Sequence, residues 1–172
     1  MDIKIKEKIS KIKTFVFDVD GVFTDGTILV GENDIQRTFS VRDGYAIQMA
    51  ANQGYKMAVI SGGKQESIKK RLTGLGIKDV FLAVATDQKP VVFEKFLNDN
   101  LIKEDEVLYI GDDIPDLLLM QKYRVFSCCP QDSSPEVIEI ADYICEKCGG
   151  KGAVREVIEL VMKYQKTWMI GF

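Results

Sequence analysis

Apolar and polar positions along this chain follow two periods in alternation. Short apolar, largely β-branched runs stand at 14–17 (TFVF), 56–60 (KMAVI), 79–83 (DVFLA), 107–110 (VLYI) and 124–127 (RVFS), with 142–145 (DYIC) as a weaker sixth. Each has the length of a strand and is bounded by polar or glycine-containing segments. Between them the period lengthens. Ile68, Leu72 and Leu75 are spaced by four and three, and Val154, Val157, Ile158, Val161 and Met162 trace one face of a helix. Strands apolar on both faces, alternating with amphipathic helices, predict an α/β fold: a Rossmann-like three-layer α/β/α arrangement around a mostly parallel sheet. No repeat, low-complexity tract or linker interrupts the pattern. One domain is expected over 1–172, with a C-terminal helix and tail over about 152–172.

One segment breaks the alternation. Residues 26–44, GTILVGENDIQRTFSVRDG, read as strand, turn, strand, with GEND as turn chemistry between two β-rich runs. A hairpin inserted over about 26–41 would project from the first crossover and expose Ile28, Val30, Ile35 and Phe39. Two strands alone are marginally stable in water, so pairing with copies of itself is favoured over a lid.

Composition narrows the partners. The 172 residues carry a net charge of −3, so no basic field favours nucleic acid. No apolar run reaches the length of a membrane span. The opening MDIKIKEKISKIK lacks the apolar stretch of a secretion signal. A cytoplasmic protein with neither nucleic-acid nor membrane partners is the expectation. Cys145 and Cys148 have the spacing of half a zinc site, with Cys128 and Cys129 as conceivable partners, but the chain has no histidine. Reduced thiols without zinc are the better reading.

Charge placement says more. In open α/β sheets ligands bind beyond the carboxyl ends of strands. After the first strand come Asp18, Asp20 and Thr24; after the second, Ser61, Gly62, Gly63 and Lys64; after the fourth, Asp112, Asp113 and Asp116. Lys89 opens the helix before the fourth strand. Each of these has an ordinary reading as a solvated turn or a helix cap. Together they place several carboxylates, a hydroxyl, glycine-exposed N–H groups and a lysine at one edge. Such a set suits phosphoryl transfer with Mg²⁺, a hard cation for oxygen ligands. Asp18 is placed to attack phosphorus. Asp20, two residues on, leaves the same face of an extended backbone and can protonate the leaving oxygen, then activate water. Ser61 and the N–H of Gly62 can hold phosphoryl oxygens, and Lys89 offers a cation. Asp116, one helical turn after Asp112, can orient Lys89 or a metal-bound water. Spacing leaves Asp112 and Asp113 as rival metal ligands.

DVDGVFTDG, ISGG, a lone Lys89 and GDDIPD, in that order, resemble the haloacid dehalogenase superfamily of phosphatases. The resemblance implies Asp18 as nucleophile and Asp20 as general acid/base. It places Mg²⁺ on Asp18, the backbone carbonyl of Asp20, and Asp112. DVDGVFTDG, the hairpin, FSVRDGYAI and GGKGAVREVIELV further look like the capless 3-deoxy-D-manno-octulosonate 8-phosphate phosphatases of lipopolysaccharide sugar biosynthesis. That likeness covers nearly the whole chain. It implies a phosphorylated sugar-acid substrate and a homotetramer formed through the hairpins, whose neighbouring subunits cover each site. It also implies substrate contacts from Ser40, Val41, Arg42, Asp43 and Gly44 and from Arg71.

Two departures bear on the sugar. Ser61-Gly62-Gly63 stands where many octulosonate phosphatases read T-G-R, and Gln48 where a basic residue is common. A nonulosonate (sialic-acid-type) 9-phosphate or a broad range of sugar phosphates is therefore the alternative substrate. Two readings lie outside enzymology. A receiver-type signalling domain shares the acidic site, but it needs a long-lived aspartyl-phosphate, which Asp20 would hydrolyse. A retired oligomerisation domain would not need the acids and Lys89 intact. The tail, 164–172 (YQKTWMIGF), either packs on its own core or reaches a neighbour's site. GGKGAVRE (149–156) reads as a strand-to-helix turn rather than an anion site.

Overall fold

The computed structural model describes residues 3–32 and 34–171. Asn33 in the predicted turn and Phe172 at the end of the tail lie outside the described residues. The strands run in the order β1 (Thr14–Phe17), β2 (Leu29–Val30), β3 (Ile35–Gln36), β4 (Lys56–Ile60), β5 (Asp79–Phe81), β6 (Val107–Ile110), β7 (Phe126–Cys129) and β8 (Tyr143–Ile144). Six of them form one sheet, ordered β5-β4-β1-β6-β7-β8, and every neighbouring pair is parallel. β2 and β3 pair antiparallel as a separate hairpin.

The pleat sorts side chains between two layers. On one face Phe15, Phe17, Met57, Val59, Leu108 and Ile110 pack under α1 (Ile3–Lys11), α2 (Val41–Asn52), α3 (Glu66–Thr73) and α7 (Ala153–Tyr164). On the other, Val16, Ala58, Ile60, Val107 and Tyr109 meet α4 (Lys89–Asn100), α5 (Ile114–Lys122) and α6 (Pro135–Ile140). β1 is buried at all four positions, and each fully buried phenylalanine in it contributes roughly 1.5–3 kcal/mol. The sheet is the parallel, doubly covered one that the apolar runs predict.

Four local outcomes differ from the sequence expectation or extend it. The isoleucine-lysine alternation at the start folds as a helix, because Ile5, Ile9 and Ile12 recur at four and three and bury one face. β7 lies two residues later than the predicted run at 124–127. β5 ends at Phe81, before Ala83 turns to a φ of +57°. The hairpin strands are only two residues each, and Phe39 is not exposed as expected but half-buried against Phe23 and the core. The second run stops because Ser40 caps α2, its side chain accepting from the Asp43 N–H at 3.4 Å. Leu29 and Val30 are about two-thirds exposed, at 68% and 67%.

The tail packs on its own chain through Trp168, and Gln53 Nε2 donates to the Ile170 carbonyl at 3.2 Å. Gln165 Nε2 donates to the carbonyls of Ile9 and Ile12 at 2.7 and 2.8 Å. The Tyr55 hydroxyl donates to Gln165 Oε1 at 2.6 Å, and Trp168 lies under Arg155. These contacts sit at the amino-terminal ends of β1 and β4. All four cysteines are free thiols, and burial pushes the Cys128 thiol well up. Among the described residues no helix is long and apolar enough to cross a membrane.

Candidate active site

β4, β1 and β6 are sheet neighbours, and Phe17 is in register with both Val59 and Ile110. Residues that follow these strands therefore emerge side by side: Asp18 after β1, Ser61 after β4, Gly111 and Asp112 after β6. The Asp18 N–H continues the ladder by donating to the Ile110 carbonyl at 3.0 Å. A cleft of about 290 Å³ opens there, lined by Asp18, Asp20, Gly26, Ser61, Gly62, Gly63, Val84, Thr86, Lys89, Asp112, Asp113 and Pro115. A larger groove, about 940 Å³, lies by the amino-terminal ends of β6 and β7. Its charges largely neutralise one another, through the Lys8–Asp142, Lys11–Asp105 and Arg124–Glu104 pairs.

Lys89 is the first residue of α4 and is almost wholly buried. Its Nζ lies 2.7 Å from Asp116 Oδ1 and 3.2 Å from Asp18 Oδ1. Burial opposes its charge, but these two carboxylates outweigh that and hold its pKa above the ordinary value. Asp116 is fully buried and saturated. Its Oδ1 also accepts from the Tyr109 hydroxyl at 2.5 Å, and its Oδ2 accepts from the Asp112 N–H at 3.1 Å. Gly111 permits this, since a Cβ there would lie 2.4 Å from Asp116 Cγ. Gly21, at φ +78°, does the same for Asp112, whose Oδ2 would lie 1.8 Å from an added Cβ.

Asp18, Asp112 and Asp116 each offer an oxygen within 4.8 Å of the others. Asp113 is exposed and occupies the cap position of α5. Burial first, then Asp116, lift the Asp18 carboxyl to about 7. The same two causes, with Asp18 and Asp113 adding, lift Asp112 to about 8. The Asp18 Oδ1 atom is buried without a hydrogen bond of good geometry. Cancelling opposite charges in contact leaves a clear remainder. Lys89 is shared between Asp116 and Asp18, and Arg37 is taken up by Asp20, so Asp18, Asp20, Asp112 and Asp116 together exceed their cations by two charges.

Arg37 was not among the residues expected at the site. It follows β3 in the hairpin, and its Nε and one Nη donate to the two Asp20 oxygens at 2.6 and 2.9 Å. No local spacing announces it, because the pairing exists only once the hairpin folds back. On the Ser61 side, the Gly63 N–H donates to Ser61 Oγ at 3.1 Å, while Gly62 is exposed to the cleft.

The remaining expected residues lie elsewhere. Ser40–Gly44 form the first turn of α2, and Arg71 on α3 lies beside Gly44, its Nη2 2.7 Å from an added Cβ. None of them lines the cleft described above. Val41 and Arg42 are exposed. Asp43 is buried, and its Oδ1 accepts from the Arg155 N–H at 2.8 Å, capping α7 from outside the helix. The GGKG segment forms a turn, as expected, and buttresses the acidic loop: Gly150 N–H donates to the Val22 carbonyl at 3.0 Å.

Known proteins match this arrangement. A family model described as haloacid dehalogenase-like hydrolase matches residues 30–129. The 3-deoxy-D-manno-octulosonate 8-phosphate phosphatase of Salmonella typhi is 36% identical over 94% of this chain and 85% of its own. The solved structure of the enzyme of that name from Yersinia pestis superposes with a TM-score of 0.91 at 30% identity, over 97% of this chain and 89% of its own. The one from Moraxella catarrhalis, in complex with magnesium, phosphate and the sugar acid, gives 0.90 at 32% identity over 96% and 94%. With this cleft at the tips of β1, β4 and β6, the chain belongs to the haloacid dehalogenase-like hydrolases and is a phosphatase of that family.

Proposed function

We propose that the chain is a Mg²⁺-dependent phosphatase for 3-deoxy-D-manno-octulosonate 8-phosphate, working through an aspartyl-phosphate on Asp18. The observation that carries this is the surplus of carboxylate charge at Asp18 and Asp112 beside Ser61, which Lys89, shared between Asp18 and Asp116, does not balance. The residues fit a hard divalent ion. Asp18 Oδ1 is buried, with the shared Lys89 Nζ at 3.2 Å as its one polar partner among the described residues, Asp112 is its close neighbour, and Asp116 is already saturated. Asp18, Asp112 and the backbone carbonyl of Asp20 would hold Mg²⁺. When bound, the ion supplies positive charge against the carboxylates and the incoming phosphate. A relative's structure carrying magnesium, phosphate and the sugar acid supports the same reading.

An Asp18 oxygen attacks phosphorus while the bond from phosphorus to the sugar oxygen breaks. That oxygen takes a proton from Asp20. In the second step Asp20 accepts a proton from water. The water oxygen bonds to phosphorus, the bond between Asp18 and phosphorus breaks, and inorganic phosphate leaves. Ser61 Oγ and the Gly62 N–H hold the phosphoryl oxygens. Lys89, oriented by Asp116, opposes their charge.

Ser40, Val41, Arg42 and Arg71 do not line the chain's own cleft, so their proposed substrate contacts would be made across an interface between copies, whereas Asp43 and Gly44 are buried within the chain. The exposed Leu29 and Val30 of the hairpin support a homo-oligomer, a tetramer in this reading. Gly63 favours a second substrate. It is buried, and an added Cβ would lie 2.7 Å from Ile68 Cδ1, so the arginine common at this position has no room without repacking. A nonulosonate 9-phosphate is the alternative on that ground. Phosphate release with Mg²⁺ across a panel holding both sugar acids and simple sugar phosphates decides. We expect a preference of several hundredfold for the eight-carbon acid. Preference for a nine-carbon acid would mean that Gly63 marks a change of substrate, and a flat profile a generalist.

A further inference from the structure

We infer that Arg37 is a positioning residue of the phosphatase: from the hairpin it holds the Asp20 carboxylate in the cleft, ready to exchange a proton with the leaving oxygen. This rests on the assignment of Asp20 as acid and base.

The two carboxylates of the first loop are held differently. Asp18 continues β1 and is tied to it by its own N–H. Asp20 lies two residues beyond, in a turn, with its side chain 36% exposed. Among the described residues, Arg37 alone donates hydrogen bonds to that carboxylate. It does so with two donors of one planar group, which fixes the orientation of the carboxylate as well as its distance. The guanidinium is itself clamped. Its other Nη donates to Gln65 Oε1 at 2.7 Å, and the Arg37 side chain is 8% exposed.

Gln65 precedes α3, and the space next to Gly63 belongs to this assembly. A Cβ on residue 63 would lie 3.5 Å from Arg37 Nη2. Arg37 does not line the cleft. Its guanidinium stands behind Asp20 and acts through it. The cost of losing such a clamp is orientational: a carboxylate free to change rotamer spends less time aligned with the leaving oxygen. The same contact also makes the hairpin part of the catalytic apparatus, because β3 carries Arg37 into place.

The test uses the purified full chain with Mg²⁺ and three aryl phosphates of similar shape: p-nitrophenyl, phenyl and p-methoxyphenyl phosphate. Their leaving groups need protonation to increasing degrees, and kcat/KM reports events only through departure of the leaving group. Arg37→Met keeps the packing of the stem and removes the fork. We expect kcat/KM for phenyl phosphate to fall at least about tenfold more than for p-nitrophenyl phosphate, a part of the 10²–10⁴ that acid–base catalysis supplies. Arg37→Lys, which keeps charge without the fork, should fall between and serves if the methionine variant does not fold. An equal loss across the series in the folded variants would show a merely structural role and overturn the inference, as would no loss. If the wild type releases phosphate from none of the three and from none of the sugar phosphates of the panel, the phosphatase assignment fails and the inference with it. Turnover by the wild type with an unchanged leaving-group dependence in the variants sinks the role of Arg37 alone.

Discussion

The strand-tip side of the cleft and its hairpin side are built to different standards. Asp18, Lys89, Asp116 and Tyr109 are buried, joined by contacts of 2.5–3.2 Å, and rooted in the central sheet. Asp20 and Arg37 are joined as closely, but Arg37 hangs on a hairpin of two two-residue strands, the first of which exposes Leu29 and Val30. The first half is completed by the folding of one subunit. The second half depends on where the hairpin rests, and so on whatever covers it. The nucleophile and the metal-binding carboxylates of the proposed mechanism lie on the rigid half, and its proton transfer on the half that the hairpin completes.

The sharpest way to break this comparison is at the rigid half. Asp18→Asn removes the proposed nucleophile but keeps its shape, so kcat should fall by about 10⁴ or more while the fold persists. Thermal melting within a few degrees of wild type would accompany that loss. Residual turnover above about 1% of wild type would remove Asp18 from its role.

Proton linkage probes the same half with a smaller effect. Asp18 at about 7 and Asp112 at about 8 both titrate above their ordinary 3.8. Without a divalent ion, the folded chain holds protons that the unfolded chain has released. Their contribution to stability is full below about pH 4 and is lost as pH rises through 7 and 8. Mg²⁺ replaces those protons, so its stabilising effect should grow with pH. Melting with Mg²⁺ and with a chelator at pH 6 and pH 8.5 should give a Mg²⁺-dependent rise in Tm several degrees larger at the higher pH. An equal rise at both would mean that the ion does not displace protons from Asp18 and Asp112.

The smallest effect on the single subunit is expected at the hairpin. Leu29→Ser with Val30→Ser removes exposed apolar groups, so subunit stability should change by no more than about 1 kcal/mol. The proposed oligomer should dissociate in sedimentation experiments, and turnover of the proposed sugar-acid substrate should fall further than that of p-nitrophenyl phosphate. A variant with unchanged mass would remove the hairpin from the interface.

Much of the fold was legible because it is written in short periods. β1, β4 and β6 begin and end where the apolar runs do, and the residues just beyond them, Asp18, Asp20, Ser61 and Asp112, meet in one cleft with Lys89. Parallel neighbours in register leave no other place for them. The choice between Asp112 and Asp113 was not legible. Spacing does not separate adjacent residues, whereas in the fold Asp112 lies within reach of Asp18 and Asp113 is exposed at the cap of α5.

Other contacts join parts of the chain that no period connects. Asp43 caps a helix whose first turn lies 112 residues later. Arg37 reaches Asp20 across 17 residues and an intervening turn. By itself the sequence determined the layers of the fold, the edge where the chemistry gathers, and the residue types that perform it, because hydrophobic period and strand length act locally. Only the tertiary structure decided which carboxylates are paired and which are left for a cation. Charge balance inside a cleft is a property of side chains within a few ångströms, and those neighbours exist only when the sheet has closed and the hairpin has come to rest.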